Sequence, residues 1–131
     1  MTLIAASDPT QQPALDPAAL EGLWELVDDD DTSFLEDLFG SYLVNVQESL
    51  AGIRSFLVAG EFDAIRREAH TLKGASGNVG AMVLSALCRQ LESSAEAQDA
   101  SAIEADQASI AAESRRVRLA ISRILPELPV A

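Results

Sequence analysis

Apolar residues recur along this chain at alternating steps of three and four, the period of an α-helix. The longest stripe is Leu35, Phe39, Tyr42, Val46, Leu50, Ile53 and Leu57, at steps of 4, 3, 4, 4, 3 and 4. It predicts a helix that is capped by Asp31 or Thr32, runs to about Ala59 and ends at Gly60. A shorter helix precedes it. Asp16 stands at its N-cap position, Pro17 at its first helical position, and Leu20, Leu23, Trp24 and Val27 form its apolar face. It runs out in the acidic stretch Asp28–Asp31. A third helix starts near Glu61 and carries Phe62, Ile65, Ala69, Leu72, Ser76 and Val79 up to a turn at Gly80. A fourth carries Leu84, Leu87, Cys88, Leu91 and Ala95. A fifth follows Asp99 or Ser101 and carries Ile103, Ile110, Val117, Ile121 and Ile124 before Pro126 stops it.

The 108 residues between Pro17 and Pro126 contain no proline, and the whole chain holds 22 alanines. Both features favour helix. Helices with one apolar face and short connections are satisfied most simply by an antiparallel bundle. The expected fold is therefore all-α, an antiparallel four-helix bundle with a short additional N-terminal helix. Residues 1–15 are rich in Pro, Gln and Ala without periodicity and are expected to be a mobile tail. Residues 16–131 form the expected bundle domain.

Charge narrows the function. The chain has 131 residues, one domain's worth, and a formal net charge of −12. Its first 53 residues hold 11 acids and no base. Nucleic acid and anionic membrane are poor partners for such a surface, because phosphate binding needs a basic face. The Asp28–Asp31 run reads as a solvated loop with helix-capping value. A single cysteine, Cys88, excludes an internal disulfide and any multi-cysteine zinc site, and its place on the fourth helix's apolar face marks it as a small core residue. A single histidine, His70, excludes His-pair metal sites, so no metal is expected. No stretch reaches the ~20 apolar residues of a membrane span. The first basic residue is Arg54, so no secretory signal is read either, and a cytoplasmic location is expected.

Chemistry concentrates in the segment from Ala69 to Gly80. Two glycines, Gly74 and Gly77, sit inside a strongly periodic helix, each costing about 1 kcal/mol relative to alanine. A helix accepts that cost where something must approach its backbone. On a wheel centred on Ile65, Lys73, Arg66, Gly77, His70 and Gly74 lie off the core face, at roughly 80, 100, 120, 140 and 180°. The histidine therefore faces outward, with a cation at i+3 and a bare glycine at i+4. That arrangement suits a group that another macromolecule modifies.

His70, Leu72, Lys73, Gly74, Ser76 and Gly80 together resemble the motif of histidine-containing phosphotransfer (HPt) domains, the carriers of multistep two-component phosphorelays. The resemblance continues through Leu84, Leu87-Cys88 and Leu91-Glu92, and upstream through Asp31–Leu35 and Gly60–Phe62, covering roughly residues 16–98. It implies that His70 accepts a phosphoryl group and exchanges it with the aspartate of a response-regulator receiver domain, supplied by an upstream hybrid histidine kinase. Lys73 would compensate the phosphoryl charge, and Arg66 could add a second positive charge. Gly74 and Gly77 would clear space for the partner's loops. Glu92, 22 residues after His70, would either fix the imidazole tautomer by accepting from Nδ1–H or stand as an ordinary exposed glutamate. Phe34, with Leu38 beside it, would either dock a receiver or pack under the first helix. No P-loop or nucleotide lid is readable, so self-phosphorylation from ATP is not expected. The chain itself would bind no cofactor, Mg²⁺ residing in the receiver, and a monomer is expected. Two other readings stand beside this one. A non-catalytic acidic adaptor leaves the glycine patch beside His70 without a purpose. A hydrolase with His70 as base lacks a nucleophile elbow or metal-ligand spacing.

Overall fold

The computed structural model describes residues 12–126. Five helices follow one another: α1 (Pro17–Trp24), α2 (Ser33–Ala59), α3 (Phe62–Asn78), α4 (Met82–Glu96) and α5 (Ala100–Ile124). Around the bundle α2 packs on α3, α3 on α4, α4 on α5, and α5 returns to α2. The two- and three-residue connections make successive helices antiparallel. The all-α bundle with a short N-terminal helix is the fold expected from the apolar spacing.

The core is the predicted stripes brought together. Phe39, Ile53, Ile65, Leu84, Ile103, Ile110 and Ile121 have no exposed surface. Each such side chain contributes roughly 1.5–3 kcal/mol by leaving water. Leu57, Phe62, Leu87 and Ile124, at the ends or edges of their stripes, are only partly buried. The helix ends follow local chemistry. Gly60 is left-handed (φ 72°), and the Gly60 and Glu61 amides donate to Leu57 and Phe56 carbonyls, the paired bonds of a Schellman stop. Thr32 takes the N-cap position of α2, while the Asp31 carboxylate accepts from the Ser33 amide at 3.0 Å. The Ser33 amide, and then its hydroxyl, hold the Asp31 carboxyl below its usual range. Asp99 caps α5 by accepting from the Ala102 amide. Asp16 stands at the N-cap position of α1, but its side chain makes no cap bond; its backbone amide donates instead to the Gly80 carbonyl at 2.7 Å.

One detail departs from the expectation. The anticipated tail spans residues 1–15, of which 1–11 lie outside the described residues. Ala14 and Leu15, at its end, are buried in the core, so the chain is anchored before α1 begins. The anchor is a close approach: Gly80 (φ 84°) lies against α1, where an added Cβ would stand 2.8 Å from that of Ala19. The acidic run is the solvated loop expected, with Asp31 at the start of α2, and it is tightly turned. Asp29 and Asp30 both have positive φ, and the Asp31 amide donates to the Asp28 carbonyl, closing a tight turn.

Candidate functional site

α3 and α4 carry the site between them. The α3 core positions Ile65, Ala69, Leu72 and Ser76 face inward, which turns His70 out to solvent, its side chain 66% exposed. On α4, Cys88, Leu91 and Ala95 are buried, which leaves Glu92 at the edge of the core, facing α3. The result is a hydrogen bond across the seam: His70 Nδ1 lies 2.9 Å from Glu92 Oε2. With the carboxylate as acceptor, Nδ1 carries the proton and donates, and Nε2 keeps its lone pair. A glutamate bonded to the imidazole, rather than a free surface glutamate, is the observed geometry.

Lys73 is engaged by the same carboxylate, its Nζ lying 2.6 Å from Glu92 Oε1. One acid thus serves both the imidazole and the ammonium. Desolvation pushes the Glu92 carboxyl up, but the hydrogen bonds from Lys73 and His70, with their charges, outweigh it and hold the group below the usual carboxylate range. Next to Glu92, the Cys88 thiol is pushed up to about 12, first by burial and then by the Glu92 charge, so it is no competing nucleophile.

Gly74 is exposed, and a Cβ built on it would meet nothing within 4 Å. Gly77 is turned toward α4, where its Cβ would touch Ser85 Oγ at 3.9 Å. The Ser85 hydroxyl donates to the Lys73 carbonyl at 3.0 Å, tying α4 to the turn that carries the site. Free space beside His70 therefore comes mainly from Gly74. Arg66 is forked onto Asp63 one turn back, a carboxylate it shares with Arg67. Phe34 is 45% exposed, and with Leu38 it lines a groove of about 370 Å³ that α3 closes through Ala75 and Asn78. Among the described residues no cluster of His, Cys, Asp and Glu could hold a metal, and no helix is long and apolar enough to cross a membrane.

Sequence reasoning missed one buried polar pairing and one buried acid behind the site. Tyr42 on α2 and Ser76 on α3 share a buried hydrogen bond of 2.8 Å. Glu113 on α5 is 5% exposed, pairs with Arg116 at 2.7 Å, and leaves Oε2 without a partner. Its place between Ile110 and Val117, one turn from each, was the available signal.

Comparison with known proteins gives a family match and a structural match. The model of the family described as Hpt domain matches residues 37–126. Phe34 and α1 precede that span, whereas His70, Lys73, Gly74 and Glu92 fall inside it. A solved structure, histidine-containing phosphotransfer protein B (HptB) from Pseudomonas aeruginosa PAO1, is similar with a TM-score of 0.76 and 30% identity, over 85% of this chain and 93% of that one. No curated protein matches the chain.

Proposed function

This chain belongs to the Hpt domain family, carriers of histidine phosphotransfer in phosphorelays, and from that premise we propose that His70 is its phosphoacceptor. The observation that carries this assignment is the 2.9 Å bond from Nδ1 to Glu92, which leaves Nε2 as the nucleophile on an exposed ring. The Nε2 lone pair attacks the phosphorus of a receiver's aspartyl phosphate. The N–P bond forms as the P–O bond breaks, and the aspartate leaves as a carboxylate. Donation runs the same step in reverse. Glu92 acts as a positioning residue. Lys73, held beside the ring by Glu92, swings toward the transferred group and meets its negative charge. Mg²⁺ is supplied by the receiver. The open side of α3 at Gly74 and the Phe34–Leu38 groove receive the receiver's surface, a hybrid histidine kinase feeds the relay, and the carrier works in the cytoplasm as a monomer.

The acidic-adaptor reading is not favoured, since family and fold both point to transfer. A phosphorylated receiver domain with Mg²⁺ should lose its label to the wild-type chain and keep it in the presence of His70→Gln. Transfer to His70→Gln at the wild-type rate would overturn the assignment.

A further inference from the structure

Of the nine basic residues in the chain, four are paired: Arg66 and Arg67 with Asp63, Lys73 with Glu92, and Arg116 with Glu113. Three of the other five, Arg54 on α2 and Arg115 and Arg118 on α5, line one groove of about 300 Å³ together with Gln47 and Ser114. No acid lines it, although acids outnumber bases 21 to 9 in the sequence. Among the described residues none of these three arginines has an ion-pair partner. Their like charges repel across the groove, and no carboxylate among the described residues pairs with them.

The groove lies between α2 and α5, the less closely packed of the neighbouring helix pairs around the bundle. It continues into a larger one of about 610 Å³ that shares Leu50, Arg54 and Ala111 and adds Leu57 and Val58, with Glu104 on its rim. Val58 is 87% exposed. The seam is thus cationic at one end and apolar at the other. The Gln107 amide donates to the Leu50 carbonyl at 2.9 Å, so part of the polar backbone between the helices is already satisfied. It lies diagonally across the bundle from the α3–α4 seam that holds His70 and Glu92.

We propose that the α2–α5 seam is a second protein-binding site, which takes an acidic, leucine-bearing segment of a partner. Guanidinium groups bind carboxylates in paired, planar contacts, and three on one groove match a run of glutamates. The apolar end accepts the leucines. The overall charge of −12 works against an acidic ligand at long range, but screening at physiological salt confines that repulsion to about 8 Å, within which the three arginines dominate. A partner held here leaves His70 free for a receiver, so the site can tether the carrier while transfer proceeds. The inference does not depend on which residue is phosphorylated.

The probe is a fluorescein-labelled peptide of two leucines followed by four glutamates, titrated with the full chain and read by anisotropy. Binding should weaken at least tenfold in R54E/R115E/R118E and between low and physiological salt. It should be unchanged in R89E/R123E, which alters the two arginines outside the groove that have no ion-pair partner among the described residues. A glutamine-for-glutamate peptide should not bind, and a serine-for-leucine peptide should bind several-fold more weakly. Unchanged helicity and unchanged phosphoryl acceptance by R54E/R115E/R118E confirm that the variant is folded. If the wild type shows no saturable binding at low salt, if R89E/R123E loses as much as the triple variant, or if the serine peptide binds equally well, the proposal is overturned.

Discussion

At the residue scale the site turns on one carboxylate with two partners. Glu92 titrates below its ordinary value of 4.5 in the folded chain. Its pairing therefore stabilises the fold fully above that value and is lost as pH falls through the lowered folded pKa. The melting-temperature difference between wild type and Glu92→Gln should be largest near neutral pH and shrink toward pH 3; a difference constant over that range would contradict the pairing. Lys73→Ala should slow transfer from a receiver roughly tenfold or more, the scale of one charge-assisted hydrogen bond, and stopped-flow transfer kinetics check it. Gly74→Ala separates stability from function. Its Cβ has open space, so the helix should gain up to about 1 kcal/mol in denaturant unfolding. Transfer to a receiver should nevertheless slow, because the cleared surface is narrowed. Much of this site was legible in the sequence. The outward turn of His70 follows from spacing alone, and Glu92 fell at the edge of the next helix's core face. The sharing of Glu92 by Lys73 was not legible, because it depends on how closely α3 and α4 approach. Across that approach the Ser85 hydroxyl donates to the Lys73 carbonyl, a contact between helices that neither wheel contains.

At the scale of elements, α2 to α5 were readable because each keeps its apolar period, with local stops such as the left-handed Gly60. The anchoring of α1 was not. Ala14 and Leu15 lie in a stretch without periodicity, and they are buried by contacts with residues far along the chain. The joint is Gly80, whose carbonyl accepts from Asp16 and whose missing Cβ lets Ala19 approach. Gly80→Ala combines a left-handed backbone with a clash and should cost about 1–3 kcal/mol in denaturant unfolding. Hydrogen exchange in α1 should rise with it, while α3 remains protected. α5 holds the other element-scale surprise. Burial is the largest influence on Glu113 and pushes its carboxyl up against the opposing hydrogen bond and charge of Arg116. A raised acid binds its proton more readily folded than unfolded, so its ionisation destabilises the fold as pH rises above 4.5 through the raised value. Glu113→Gln should therefore gain stability relative to wild type between pH 4 and pH 7, read as the difference in melting temperature. A relative loss over that interval would contradict the burial argument.

At the scale of the whole molecule, the bundle divides its faces. The α3–α4 face presents an exposed imidazole, and the α2–α5 face presents three arginines with no ion-pair partner among the described residues, in a chain of net charge −12. The acidic bias and the helical class were legible from composition and spacing. The gathering of Arg54 with Arg115 and Arg118 was not, because they lie more than sixty residues apart and only the closure of α5 onto α2 unites them. Nothing in the core needs a histidine at position 70, since the residues that bury α3 are Ile65, Ala69, Leu72 and Ser76. His70→Gln should therefore melt within a few degrees of wild type, the range of an exposed substitution. The most direct measurement is the intact mass of wild type and His70→Gln after incubation with phosphoramidate, before and after mild acid. The account predicts one added phosphoryl group on the wild type, removed by acid and absent from the variant. An acid-labile phosphoryl group of equal yield on His70→Gln would contradict it.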